Sequence, residues 1–107
     1  MKQVSLIGKK LVEDTFLKQK ILVHLGSKVT RIGHGEVDIW LPKTDLSLQH
    51  HGFIHGGIIT TLADTAAGLS AFSVLDHPEH TCITVELKIN FIKPADTDVT
   101  AVGKIIK

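Results

Sequence analysis

Residues 55–75 read His55-Gly-Gly-Ile-Ile-Thr-Thr-Leu-Ala-Asp64-Thr-Ala-Ala-Gly-Leu-Ser-Ala-Phe-Ser-Val-Leu75. As a helix this stretch is apolar on every face, which is typical of a helix that is buried on all sides. With histidines neutral, Asp64 is the one charged side chain between Leu46 and Leu75. A buried carboxylate needs a hydrogen-bonding partner or a functional role. We therefore predict a central buried helix that carries a functional carboxylate.

Strand patterns lie on both sides of this helix. Residues 28–32 and 36–41 alternate around the turn Gly33-His-Gly35, which predicts a hairpin that ends at Pro42. The inward side of its second strand would consist of Val37, Ile39 and Leu41. Residues 81–92 show the strongest strand alternation, and a further strand begins at Val99. Residues 43–54 show no period and are expected to form a loop.

An amphipathic helix is predicted over residues 9–25, with Leu17, Ile21 and Leu25 spaced four apart and Gly26 as its C-cap. One long buried helix among several antiparallel strands makes an α+β fold. Because that helix needs cover on nearly every side, we expect a strongly curved sheet to wrap around it.

Composition narrows the class of protein. The 107 residues fit one domain, spanning residues 1–107, and a hydrophobic content of 43% is ordinary for a soluble globular fold. A net charge of +1, with both signs interspersed, favours neither nucleic acid nor an anionic membrane as a partner. The first ten residues show no apolar stretch typical of a signal peptide, so none is expected there. Cys82 is the sole cysteine of the sequence, which excludes an intrachain disulfide. We expect a cytoplasmic protein.

Residues 49–64 read Gln49-His-His-Gly-Phe-Ile-His55-Gly56-Gly57-Ile-Ile-Thr-Thr-Leu-Ala-Asp64. This stretch resembles the signature of the hotdog-fold acyl-CoA thioesterases, especially the phenylacetate-pathway type and its hydroxybenzoyl-CoA thioesterase relatives. Residues 20–26, 40–42 and 86–96 also fall in the family order at the family spacing. The resemblance implies a hotdog fold, a curved antiparallel sheet wrapped around a long central helix. It also implies that the family's last two strands are lacking, so that the domain is short at its C-terminal end.

Hydrolysis of a thioester requires stabilisation of charge at the carbonyl oxygen and an activated water or a nucleophile. Gly56 and Gly57 lie at the expected start of a helix, where unpaired N–H groups and the positive dipole end gather. Asp64 is eight residues beyond Gly56, about 12 Å along a helix. Because Gly56 and Asp64 of one chain therefore cannot both contact one carbonyl carbon, the spacing favours a site shared between two subunits.

The resemblance assigns roles to five residues. It implies that Gly56 supplies the oxyanion-binding N–H and that Asp64 of the partner subunit is the general base or nucleophile. Gln49 matches the residue that orients water or the thioester, His55 matches a histidine that shapes the loop near the carbonyl, and Thr84 matches a hydroxyl facing the catalytic carboxylate. The implied enzyme is an acyl-CoA thioesterase that acts without cofactor, as a homodimer with composite sites or as a homotetramer.

Simpler interpretations stay open for these residues. Asp64 could be satisfied by backbone groups or by the hydroxyls of Thr60 and Thr61, and the glycine pair could serve turn geometry alone. Gln49 could be an ordinary loop amide, and Thr84 merely a β-former. For the whole protein, the alternatives are a non-catalytic acyl-CoA or acyl-carrier binding module, and a structural remnant that binds neither.

The histidines raise the possibility of a metal site, since His50, His51 and His55 lie close together and His77 and His80 form a second group. No cysteine pair or Glu-bearing zinc motif accompanies either group. We therefore expect no metal.

Overall fold

The structure is a computed structural model that describes residues 2–106. Its helices are α1 (Leu6–Leu17), α2 (Lys20–His24) and α3 (Gly56–Phe72), and its strands are β1 (Lys28–Gly33), β2 (Glu36–Leu41) and β3 (Val99–Lys104). The strands form an antiparallel sheet in the order β1-β2-β3. This arrangement of one long helix and an antiparallel sheet confirms the predicted α+β class.

No helix within residues 2–106 combines the length and the apolar character needed to cross a membrane.

The hairpin β1–β2 follows its sequence pattern. Val37, Ile39 and Leu41 are fully buried and supply the sheet's contribution to the core. The opposite side of the hairpin carries Arg31, which donates hydrogen bonds to Asp38 at 2.8 Å and to Glu36 at 3.2 Å. These hydrogen bonds, together with the nearby negative charges, raise the pKa of Arg31.

The helix predicted over residues 9–25 is two helices, because the chain leaves the helical conformation at Gln19. Phe16 and Leu25 are both buried. In a continuous helix their separation of nine residues would be about two and a half turns, which would place them on opposite faces. The break allows both side chains to enter one core. The predicted role of Gly26 is confirmed: its φ of 84° and the bond from Ser27 N–H to the Leu22 carbonyl at 3.0 Å form a Schellman motif.

The helix α3 packs against β2 and β3. Within it, the buried side chains are Leu62, Ala66, Leu69, Ser70 and Phe72. Glycine permits a close contact between β3 and α3, since a Cβ built on Gly103 of β3 would overlap the carbonyl oxygen of Ala66. The Ser70 hydroxyl donates to that same carbonyl at 2.8 Å and accepts the N–H of Val37 at 3.1 Å. The sheet is thereby held directly against α3.

The substitution Gly103→Ala should destabilise the fold by about 1–3 kcal/mol, the usual range for overpacking a close contact. The matched control is Gly68→Ala on α3, where an added Cβ would meet nothing within 4 Å. There the gain in helix propensity should leave stability unchanged or raise it by up to about 1 kcal/mol. Urea unfolding of both variants measures the difference. Equal midpoints would contradict the described contact.

The prediction of a strand over residues 81–92 is wrong for this structure. These residues, called the 81–92 segment below, belong to no strand, and a bend interrupts them at Val85. The exposed fractions of Ile83, Val85 and Ile92 are 84%, 93% and 96%. A strand pattern becomes a strand only where a neighbour pairs with it, and in residues 2–106 no strand lies alongside this segment. The prediction that α3 is covered on nearly every side is also wrong, since Ala67 is exposed and Asp64 is half-buried.

Candidate active site

The start of α3 presents one unpaired backbone donor. His55 is the N-cap, and its Nδ1 accepts the N–H of Gly57 at 3.0 Å. The N–H groups of Ile58 and Ile59 both donate to the carbonyl of His55. Among residues 2–106, the N–H of Gly56 has no hydrogen-bond partner. Capping by His55 therefore leaves Gly56 as the available donor at the positive end of the helix.

Asp64 lies two turns further along α3 and is held by Thr84. The Thr84 hydroxyl donates to Oδ1 of Asp64 at 2.7 Å. The two residues share a small pocket of about 150 Å³, to which Gln19 and Cys82 also contribute. Thr60 and Thr61, the partners considered in the simpler interpretation, instead donate to the carbonyls of Gly56 and Gly57. The carboxylate is therefore anchored through one oxygen by a residue of the 81–92 segment.

Gln49 lies on the loop that precedes α3. Its side-chain oxygen accepts the N–H of His51 and, at 3.3 Å, that of Phe53, and so closes the loop. With the oxygen occupied in this way, the side-chain amide of Gln49 has its NH₂ group available as a donor. Gln49 and Gly56 line the same cavity.

This cavity, called the Gly56 cavity, has a volume of about 470 Å³. Its apolar walls come from Phe53, Ile54, Ile59, Phe91, Ile92 and Pro94. A pocket of this size, mostly apolar with a few polar groups, is typical of small-molecule sites. The sequence pattern does not single out these residues: Ile59 and Phe91 share the apolar periodicity of core residues, and Phe53 lies in a stretch without any period.

The five predicted site residues fall into two groups within one chain. Gln49 and Gly56 border the Gly56 cavity, and the exposed His55 caps the helix beside them. Asp64 and Thr84 line the separate, smaller pocket. The separation of Gly56 from Asp64 expected from their spacing is thus present, whereas the shared site between subunits stays a prediction.

The histidines form pairs rather than a larger cluster. The ring centroids of His50 and His51 lie 4.0 Å apart. Those of His77 and His80 lie 4.9 Å apart. Across residues 2–106, no group of three or more His, Cys, Asp or Glu side chains is placed to hold a metal ion.

Comparison with known proteins shows the family. The sequence profile of the thioesterase superfamily matches residues 51–107. A candidate esterase from Saccharolobus solfataricus is 33% identical over 100 residues, which cover 92% of this chain and 70% of that protein. A second, from Halobacterium salinarum, is 32% identical over 81% of this chain and 60% of its own length. The chain thus spans about two thirds of the length of these relatives.

Solved structures agree with this result. A thioesterase family protein from Silicibacter pomeroyi has a TM-score of 0.88 and 33% identity, over 94% of this chain and 74% of its own. The PaaI protein from the phenylacetic acid degradation operon of E. coli has a TM-score of 0.76 over 92% of this chain and 68% of its own, and at 20% identity it shows the shared fold. The resemblance predicted from residues 49–64 is confirmed, and the chain belongs to the thioesterase superfamily.

Proposed function

We propose that this protein is an acyl-CoA thioesterase, which converts a CoA thioester and water into a carboxylic acid and free CoA. The family and the named relatives support thioester hydrolysis in general. The observation that carries the proposal is the unpaired N–H of Gly56, which borders an apolar cavity at the start of a helix. Such a donor stabilises the oxyanion that forms when a thioester carbonyl is attacked.

The second half of the chemistry is assigned to Asp64. As a base, its carboxylate would take a proton from the attacking water; as a nucleophile, it would attack the carbonyl carbon itself. The Thr84 hydroxyl holds Oδ1 at 2.7 Å and leaves Oδ2 for either role. Either role uses the negatively charged carboxylate of Asp64.

The site is proposed to be composite, with Gly56 from one subunit and Asp64 from its partner. The two groups line different pockets of one chain, so a single copy does not bring them together around one carbonyl. The 81–92 segment, which carries Thr84, exposes Ile83 and Val85 almost completely. Exposed apolar residues on a segment that pairs with no strand favour coverage by another chain. A second copy that provides this coverage would complete the site.

Gln49 is proposed to donate a hydrogen bond to the thioester carbonyl beside Gly56. The substitution Gln49→Glu keeps an oxygen that can accept the N–H groups of His51 and Phe53, but it removes the NH₂ donor. We expect kcat/KM to fall at least about tenfold, in the range of one lost hydrogen bond to a charged group, while the thermal midpoint stays near that of the wild type. Unchanged kcat/KM would show that Gln49 only closes the loop.

The activity is tested by incubating the purified protein with short, medium and aromatic acyl-CoAs and following release of the free thiol. Turnover of at least one ester supports the proposal. Calorimetric binding of a non-hydrolysable CoA analogue without turnover of any ester would favour the alternative of a non-catalytic binding module. Absence of both would reject the proposal.

A further inference from the structure

Phe91 lies against the residue that we assign to the oxyanion. A Cβ built on Gly56 would lie 3.4 Å from Cζ of Phe91 and 3.6 Å from Cε1. The edge of the ring therefore lies in van der Waals range of the start of α3. A thioester whose carbonyl oxygen accepts the N–H of Gly56 has either its acyl carbons or its CoA arm in the cavity that this ring borders, and the apolar walls favour the acyl carbons.

The wall that contains Phe91 is fixed by bonds outside the cavity. The N–H of Ile54 donates to the carbonyl of Ala95 at 2.9 Å. Lys43 donates through Nζ to Asp96 at 2.8 Å and through its backbone N–H to Asp98 at 2.8 Å. Ala95, four residues after Phe91, is thus tied to the body of the protein although residues 91–95 belong to no strand. Together with the position of the ring beside Gly56, this allows Phe91 to limit the length of the cavity.

We propose that Phe91 determines acyl-chain selectivity, and that the Gly56 cavity takes an uncharged apolar acyl group whose length this ring limits. The inference rests on the proposed function. Phe53, Ile54, Ile59 and Ile92 offer apolar contacts, and the lining also includes two basic side chains, His51 and Lys93, both exposed to solvent. An acyl group with a charged end would lose its hydration against the apolar walls and would be favoured only by pairing with Lys93.

The test compares kcat/KM along a straight-chain series from butanoyl-CoA to dodecanoyl-CoA for the wild type, Phe91→Ala and Phe91→Leu. One methylene in an apolar pocket changes kcat/KM by about tenfold or more. For Phe91→Ala we expect the optimum to move to longer chains and the long-to-short ratio to rise more than about tenfold, with a smaller shift for Phe91→Leu. The control Leu6→Ala changes an apolar residue at the start of α1 that is 88% exposed and does not line the cavity, and should leave the ratio unchanged.

Calorimetric titration with the same esters measures their affinities, and so tests the selectivity role of Phe91 separately from hydrolysis. If no ester is hydrolysed but Phe91→Ala shifts the tightest binding to longer acyl chains, the proposed hydrolysis is rejected and the selectivity role of Phe91 is supported. If Phe91→Ala lowers kcat/KM or affinity by the same factor at every length, Phe91 is structural and the proposal is overturned. It is likewise overturned if no ester binds, or if succinyl-CoA is preferred over butanoyl-CoA.

Discussion

Replacement of Asp64 by Asn should reduce the turnover number by at least about a hundredfold, the lower end of the contribution of a general base. Asn has nearly the shape of Asp and retains an oxygen that can accept the Thr84 hydroxyl, which now lies 2.7 Å from Oδ1. Position and packing are therefore preserved, while the negative charge and the basicity are removed. Free-thiol release under saturating acyl-CoA measures the loss.

The matched control for this prediction is Asp76→Asn, because the Asp76 side chain is 94% exposed and lies outside both pockets. Its turnover number should equal that of the wild type. If Asp64→Asn also retains full turnover with an unchanged unfolding midpoint, Asp64 has no part in the chemistry and its hydrogen bond to Thr84 serves structure alone.

Replacement of Gly56 by Pro should lower kcat by about a hundred- to a thousandfold, the measured consequence of losing one oxyanion donor in other enzymes. Gly56 is the first residue of α3, where proline is well tolerated because the missing N–H has no partner within the helix. His55 has φ −60° and ψ 130°, which is the region that a residue before proline prefers. The substitution therefore removes the donor and leaves the helix intact.

The control Gly56→Ala keeps the N–H and adds the same Cβ, which would contact Phe91 at 3.4 Å. Comparison of the two variants separates loss of the donor from crowding. Circular dichroism should show equal helix content in both. If the alanine and proline variants lose activity equally, the N–H of Gly56 is not the oxyanion donor, and crowding explains the loss.

The elements with strong local signals could be predicted from the sequence. The alternation of apolar and polar residues correctly predicted that Val37, Ile39 and Leu41 form the inward face of β2. The glycines of the turn correctly predicted the hairpin. The apolar run after His55 indicated α3, which starts within one residue of the prediction and ends about three residues early. These signals are local, because hydrophobic periodicity and turn chemistry act within one element.

Features that depend on contacts between distant residues could not be predicted. The break at Gln19 has no glycine or proline, and it arises because Phe16 and Leu25 must both enter the core. The 81–92 segment has a strong strand pattern, but pairing depends on a neighbouring strand rather than on the segment itself.

For the candidate site, the resemblance anticipated that Thr84 faces Asp64, and the hydrogen bond between them agrees with that placement. The role of His55 as N-cap and the position of Phe91 against Gly56 required the folded backbone. Neither contact could be predicted from the hydrophobic periodicity of the sequence.

The central claim, that each active site combines Gly56 of one subunit with Asp64 of another, is tested most directly by complementation. Chains carrying Gly56→Pro and Asp64→Asn are co-expressed with different affinity tags, and the species retained on both affinity columns is isolated. In a two-fold symmetric dimer one of its two sites regains both groups, so we expect about half of the wild-type turnover from two nearly inactive parents. A doubly tagged species as inactive as its parents would contradict the shared site.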